Sequence, residues 1–410
     1  MNTKFCGKVL LVVLFGGIVA VLCTPESILA RKKGEKNYPL VRKMIPLPGR
    51  PAAMALSPDG KRLAVLHAEG LSLVDLGSQS LTKTFSSHPT SILPDLFFTE
   101  DGLILYLSTQ QDQVGRLDLA EDSQSPETWI SLKEGGTPNG GICGIAVSPN
   151  RRFLAVGLSQ ANQVIIYDLA KRLEVVSFSG LRAPYGLVFS RDGRELLVGQ
   201  QCQRGKTGNR APSSAENKEE PCAEGTGFVS LIDLEHKSLK AQVEIRSHTG
   251  RLCLNKDGSR LYMASTDGSS VTTINVVTGE VAEEISLQLI RKGQPSSAPA
   301  TLSLDLDGKR LYAAMTDMPW ILVISLGSQS SKSLTVEPSR IEGLIPVPGK
   351  PQALGLDLEG RRLLVALSEP VDWSEQQPTA IKSPGAVAII EMPTAKQWSK
   401  WLQSYLESHT

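Results

Sequence analysis

Apolar residues along this chain arrive in paired short runs rather than at helical spacing. Pro51-Ala-Ala-Met-Ala-Leu, with small residues interleaved, enters the polar stretch Ser57-Pro58-Asp59-Gly60-Lys61-Arg62, and a denser run, Leu63-Ala-Val-Leu66, leaves it. Two apolar runs on either side of an Asp-Gly turn predict two antiparallel strands joined as a hairpin. The pattern returns at residues 141–156, 184–193 and 299–312, with weaker copies around Asp101, Asp257 and Glu359. In every copy a Ser, Thr, Asn or Asp stands two places before the turn position (Ser57, Thr99, Ser148, Ser190, Asn255, Asp305, Asp357), where its side chain can bond the turn backbone. A third apolar run follows each hairpin, as in Val164-Ile-Ile-Tyr-Asp168 and Ile321-Leu-Val-Ile-Ser325, and a fourth follows that, as in Ala241-Gln-Val-Glu-Ile245.

Taking Asp59, Asp101, Asn150, Asp192, Asp257, Asp307 and Glu359 as one position, the repeat occurs seven times with gaps of 42, 49, 42, 65, 50 and 52 residues. Four strands at this period make one sheet whose two faces both need cover, so the repeats must stack around an axis. The fold class is therefore all-β, a seven-bladed β-propeller filling residues 40–393 as one domain. Residues 40–51 and 342–351 carry parallel wording, Ile45-Pro46-Leu47-Pro48-Gly49-Arg50-Pro51 against Ile345-Pro346-Val347-Pro348-Gly349-Lys350-Pro351. The second is the fourth strand of the sixth repeat, so register makes the first a fourth strand as well. The seventh repeat lacks one, and residues 40–47 are expected to supply it, closing the ring from the N-terminus and leaving no open edge at the seam.

Two segments lie outside that pattern. At the N-terminus Lys4 and Lys8 precede an apolar run over 9–23, then Pro25 and Ile28-Leu29-Ala30, which predicts a secretory signal over 1–30. Arg31-Lys32-Lys33 follow directly, so an uncleaved membrane anchor is the alternative. Residues 31–39 are a basic lead-in. At the other end, over 394–410, Trp398, Trp401, Leu402, Tyr405 and Leu406 recur at helical spacing, predicting an amphipathic helix. It packs on the outside of the ring or, alternatively, serves a partner or a membrane surface, as the N-terminal segment also could.

Charge narrows the function. The 43 Lys and Arg against 42 Asp and Glu give no global basic field for sequence-specific nucleic acid. Six cysteines include two in the leader; Cys202 and Cys222 flank the polar insertion in the fourth repeat, where export favours a disulfide over two free thiols. Cys143 and Cys253 read as buried thiols.

The repeats resemble the YVTN repeat of bacterial seven-bladed propellers, a group similar in fold to lactonase-type propellers. Gly49-Arg50-Pro51 and Gly349-Lys350-Pro351 open the repeat, and Ser57-Pro58-Asp59-Gly60-Lys61-Arg62-Leu63 carries its centre. Leu63-Ala-Val, Leu154-Ala-Val, Leu261-Tyr-Met and Leu311-Tyr-Ala stand where Tyr-Val-Thr-Asn is typical, and no Gly-His or Trp-Asp punctuation of WD40 type occurs. The resemblance implies an extracytoplasmic binding or scaffolding role, in the periplasm or secreted, and no single chemistry.

Candidate chemistry gathers on one face. In a propeller the fourth-to-first and second-to-third connections emerge together, and both long insertions, 201–226 and 369–385, are second-to-third connections. Trp320 and Trp373 are assigned to such loops. Arg50 and Lys350 precede first strands, with Arg182 close to the corresponding place. Six residues before the turn position, five repeats carry Ala, Gly or Thr; the second carries Asp95 and the fifth Arg251. On a seven-membered ring these two stand nearly opposite across the axis. Arg50, Asp95, Arg182, Arg251, Lys350, Trp320 and Trp373 are thus the candidate ligand-binding set, suited to an anionic small molecule or a protein partner. Solvated loop charge is the alternative reading for each cation. The runner-up function is a lactonase-type hydrolase using Asp95 and Arg251, with His248 or Glu69 nearby. No nucleophile elbow, His-Glu-x-x-His, Cys-x-x-Cys-His, phosphate loop or EF-hand loop is present, so no cofactor or metal is expected.

Overall fold

The computed structural model describes residues 41–86, 95–99, 101–109, 113–120, 125–132, 141–201, 226–265, 270–288, 298–315, 317–327, 338–372 and 379–408. The chain divides into two units, Met1–Lys36, which falls outside the described residues, and Asn37–Thr410, which holds the propeller. The signal or anchor therefore receives no structural account.

Seven four-stranded antiparallel sheets follow one another along the chain. Blade one consists of Pro51–Leu56, Arg62–His67, Gly70–Asp75 and Ser80–Ser86 in that spatial order. Blades two to six repeat the arrangement. Each first strand touches the first strand of the next blade, and that of blade seven, Lys350–Leu356, touches that of blade one, so the ring is closed. The seventh sheet takes its outer strand from the N-terminus: Val41–Leu47 pairs antiparallel with Gly385–Glu391, from Val41 against Ile390 to Leu47 against Gly385. This is the closure expected from the sequence.

Blades alternate their side chains between two neighbours, which is why none buries its faces alone. One cluster joins Ile45, Leu47, Leu364, Val387 and Ile389 of blade seven to Leu63, Val65 and Val74 of blade one. Another joins Leu66, Leu71 and Phe85 of blade one to Leu96, Leu105 and Leu117 of blade two.

The turns form as their residues dictate. In blade one the Ser57 hydroxyl donates to Asp59 Oδ1 at 2.5 Å, and that oxygen also accepts from the Lys61 backbone N–H at 3.0 Å. Gly60 takes φ 69°. The glycine has a second reason to be there: a Cβ on it would meet Leu358 Cδ1, from the preceding blade's turn, at 2.7 Å. Blade three departs from the pattern, with Asn150 at the acid's place and Arg151 holding φ 54°.

Hydrogen bonds from Ser57 and Thr99 and from nearby backbone N–H groups hold the Asp59 and Asp101 carboxyls below their usual range; Ser190 and Ser259 do the same for Asp192 and Asp257. A lowered folded-state pKa adds stability above the unfolded value of 3.8, which is lost as pH falls through the lowered ones. The melting temperature is therefore expected to fall as pH drops below about 4. Replacing all four aspartates by Asn should flatten that part of the profile, and an unchanged acid slope would show that these carboxylates do not set it.

The helix α1, Ala395–Ser408, is started by Thr394, whose N–H donates to Gln397 Oε1 at 2.8 Å as in a capping box. It lies on the outer strand of blade six, Arg340–Pro346. Trp398 and Trp401 are both buried. Those two rings are spent on the ring of blades, so the helix's Trp pair is not the membrane-facing or partner-facing element offered as an alternative above.

Candidate functional site

The first strands carry an irregularity near their starts. Register shifts fall between Pro51 and Ala53, Ile142 and Gly144, Pro184 and Gly186, Thr249 and Leu252, Pro299 and Thr301, and Pro351 and Ala353. A bulge releases one residue from the ladder and re-aims its side chain. In blade five the released stretch includes Arg251; in blade two Asp95 immediately precedes the short first strand Leu96–Phe98. The Asp95 backbone is tied to the second strand, its N–H donating to Ser108 Oγ and its carbonyl accepting from the Ser108 N–H, both at 3.1 Å.

Asp95 and Arg251 meet. Arg251 Nη1 donates to Asp95 Oδ1 at 3.0 Å, and the side chains keep only 23% and 20% exposure, so the pair is neither solvated nor sealed. The same Oδ1 accepts from the Leu96 N–H at 3.2 Å. Burial pushes the Asp95 carboxyl up, and Arg251 and the Leu96 N–H offset only part of that. Tyr185, on the first strand of blade four, faces Arg251. Burial raises its hydroxyl, with the guanidinium opposing and the neighbouring Cys143 adding to the rise. Sequence reasoning missed Tyr185; its signal is one register place before Gly186, at the bulge.

The remaining candidates do not join this pair. Arg182 lays its guanidinium over Phe228, 5.2 Å from the ring centre, and its N–H donates to the buried Gln200 at 2.7 Å. Phe228 belongs to the third strand of blade four, Gly227–Asp233, so Arg182 is engaged by that strand rather than by Asp95. Lys350 Nζ pairs with Glu369 Oε2 at 2.8 Å, an exposed contact. Arg50 is exposed, and its carbonyl accepts from the Ala68 N–H at 3.0 Å. Trp320 is a correction: it is the first residue of the strand Trp320–Ser325 and only 4% exposed, part of the core rather than a loop contact. Its alternation with Ile321 and Leu322 explains the error, since an aromatic at a strand's first position reads as the loop's last. Trp373, Cys202 and Cys222 lie outside the described residues.

His67 is fully buried at the end of its strand. Its Nδ1 accepts from the Glu69 N–H at 3.3 Å, so Nε2 donates to Ser72 Oγ at 2.8 Å; burial lowers its pKa and keeps it neutral. Cys143 and Cys253 are free thiols pushed up by burial, to about 12 and about 11. Among the described residues no three His, Cys, Asp or Glu side chains gather as metal ligands.

Chemically, a carboxylate held on a guanidinium is a recognition element. As a general base Asp95 would have to act through Oδ2, because its Oδ1 is already shared between Arg251 and the Leu96 N–H.

Comparison with solved structures places the fold. The chain is similar to the Cps50 (Swd1) β-propeller domain of Myceliophteria thermophila, at 12% identity over 87% of this chain and 100% of that one, TM-score 0.61. This is a seven-bladed β-propeller. It is similar also to the hydrazine synthase of Kuenenia stuttgartiensis, at 18% identity over 86% and 99% of the two chains, TM-score 0.59. A chain of the mitotic checkpoint complex matches at 14% identity over 96% and 100%, TM-score 0.60. Identities this low carry the fold alone. No protein-family model and no curated protein sequence matches the chain.

Proposed function

We propose that this propeller is an exported, non-enzymatic binding or scaffold protein of the YVTN-repeat type, engaging an anionic small molecule or a protein partner on its loop-rich face. One observation carries the reading. Where five of seven first strands carry Ala, Gly or Thr at one register place, two carry opposite charges that meet, at the end from which both long second-to-third connections leave. One similar structure, a chain of the mitotic checkpoint complex, belongs to an assembly, which accords with a scaffold role for such a ring. Export rests on the leader residues: the protein is periplasmic or secreted, or anchored by an uncleaved leader, and Cys202 and Cys222 form a bridge across the fourth-blade insertion.

Arg50 and Lys350 are the rim cations whose removal leaves the core intact. The double variant Arg50→Ala, Lys350→Ala is expected to weaken binding of citrate or phosphate, followed by calorimetry, by about tenfold, since each exposed charge contributes up to about 1 kcal/mol. The loss should shrink in high salt. Equal affinity in the variant would remove the cationic rim from the proposal.

A further inference from the structure

The ring has no structural need of the charges at its axis. At the register place of Asp95 and Arg251 the other five blades carry Ala53, Gly144, Gly186, Thr301 and Ala353, and those blades form the same four-stranded sheets. Close approach of first strands favours small residues: a Cβ on Gly186 would lie 2.7 Å from the Gly250 carbonyl oxygen. Two long charged side chains, contributed from sequence positions 156 residues apart, meet in this crowded circle.

The pair itself shows what fits the guanidinium. A carboxylate oxygen sits 3.0 Å from Arg251 Nη1, with a fifth of each charged side chain still open to solvent. We propose that Arg251 anchors the carboxylate of a small monocarboxylate ligand entering the axial mouth, and that Asp95 occupies the guanidinium as a built-in stand-in until the ligand displaces it. The inference rests on the loop-face binding reading and gives that site its ligand class.

Several features favour this exchange. One guanidinium beside one carboxylate is neutral overall; a monocarboxylate that takes the place of Asp95 on Arg251 keeps the site neutral when the displaced Asp95 takes up a proton, whereas a phosphate dianion would leave excess negative charge. Among the described residues Arg251 is the one charged side chain facing Asp95, and it does not fully repay the burial of that carboxylate. The burial that pushes the Asp95 carboxyl up favours its taking a proton on release from Arg251, so it is not left as a buried unpaired anion. The stand-in also keeps a carboxylate on the guanidinium when no ligand is present.

The test uses the full-length protein and acetate as the probe, with methyl acetate as a neutral control, at constant chloride. Asp95→Ala places at this position the residue that blades one and seven already carry, as does Arg251→Ala. Asp95→Ala is expected to bind acetate about tenfold more tightly than the parent protein. Arg251→Ala is expected to lose acetate binding with or without Asp95→Ala, and methyl acetate should not bind. Should Asp95→Ala fail to fold, Asp95→Asn keeps the volume, removes the charge and carries the same expectation. Equal acetate affinity with and without the Asp95 charge, or binding that survives Arg251→Ala, would overturn the inference. If those results appear while Arg50→Ala, Lys350→Ala still weakens citrate, the loop-face reading stands and only the carboxylate exchange falls.

Discussion

Deleting residues 31–48 lowers the melting temperature by on the order of 10 °C or more, because it removes the outer strand of the seventh blade. Val41–Leu47 is tied along its length to Gly385–Glu391, and Ile45 and Leu47 are 3% and 2% exposed in the core shared by blades seven and one. Replacing a buried Leu or Ile by Ala costs about 2–5 kcal/mol, so Leu47→Ala alone should be measurable and the deletion should exceed it. The deletion also leaves Gly385–Glu391 as an open edge, a template for association. Arg42 pairs with Glu391 across the seam, but half-exposed as it is, this contact contributes little. Thermal melting with light scattering reads both effects. A deleted protein that melts with its parent and stays monomeric would mean that the ring closes without its N-terminal strand.

The second large effect is expected at the seat of the helix. A Cβ on Gly343, in the outer strand of blade six, would lie 2.2 Å from Trp398 Cβ and 3.0 Å from the Trp398 carbonyl carbon. Those are fixed parts of the helix rather than flexible side-chain ends, so even Gly343→Ala must push the helix away. The Trp398 ring is 5% exposed, stands edge-on to Tyr312 at 6.5 Å and lies under the Arg310 guanidinium at 5.1 Å. Arg310 is in turn held by Glu342, Nε to Oε2 at 2.9 Å. Trp398→Ala is expected to cost about 3–5 kcal/mol in urea melts, with the C-terminal segment becoming open to proteolysis. Because both changes remove one contact, Trp398→Ala with Gly343→Ala should cost scarcely more than either alone. Full additivity would show that the helix is not seated on Gly343.

Much of this molecule is readable before any coordinates. The hairpin, the turn acid and the hydroxyl two places before it are local, and each turn closes through bonds spanning a few residues, as Ser57, Asp59 and Lys61 show. The missing strand of blade seven follows from counting, because a fourth strand without a blade and a blade without a fourth strand have one mutual solution. The helix follows from spacing alone. Asp95 and Arg251 stand out because register aligns them with Ala, Gly and Thr elsewhere.

The site's members separate at that point. Arg182, Lys350 and Arg50 share a face by topology, yet Arg182 stacks on Phe228 and Lys350 turns to Glu369. Long side chains choose partners by where neighbouring strands deliver them, and that depends on the insertion and bulge geometry rather than on repeat position. Trp320 was lost to the core for a related reason: a strand boundary displaced by one residue exchanges the loop for the interior.

Periodicity, turn chemistry, blade number and the manner of closure were determined by the chain's own wording, since each depends on residues close in sequence or on a count. Which charges touch was decided only when seven sheets took their places around an axis. The Arg251–Asp95 bond joins blades two and five, and no local rule places atoms from two such sheets within 3.0 Å of each other. Coulombic pairing depends on separation in space, and the propeller alone sets that separation.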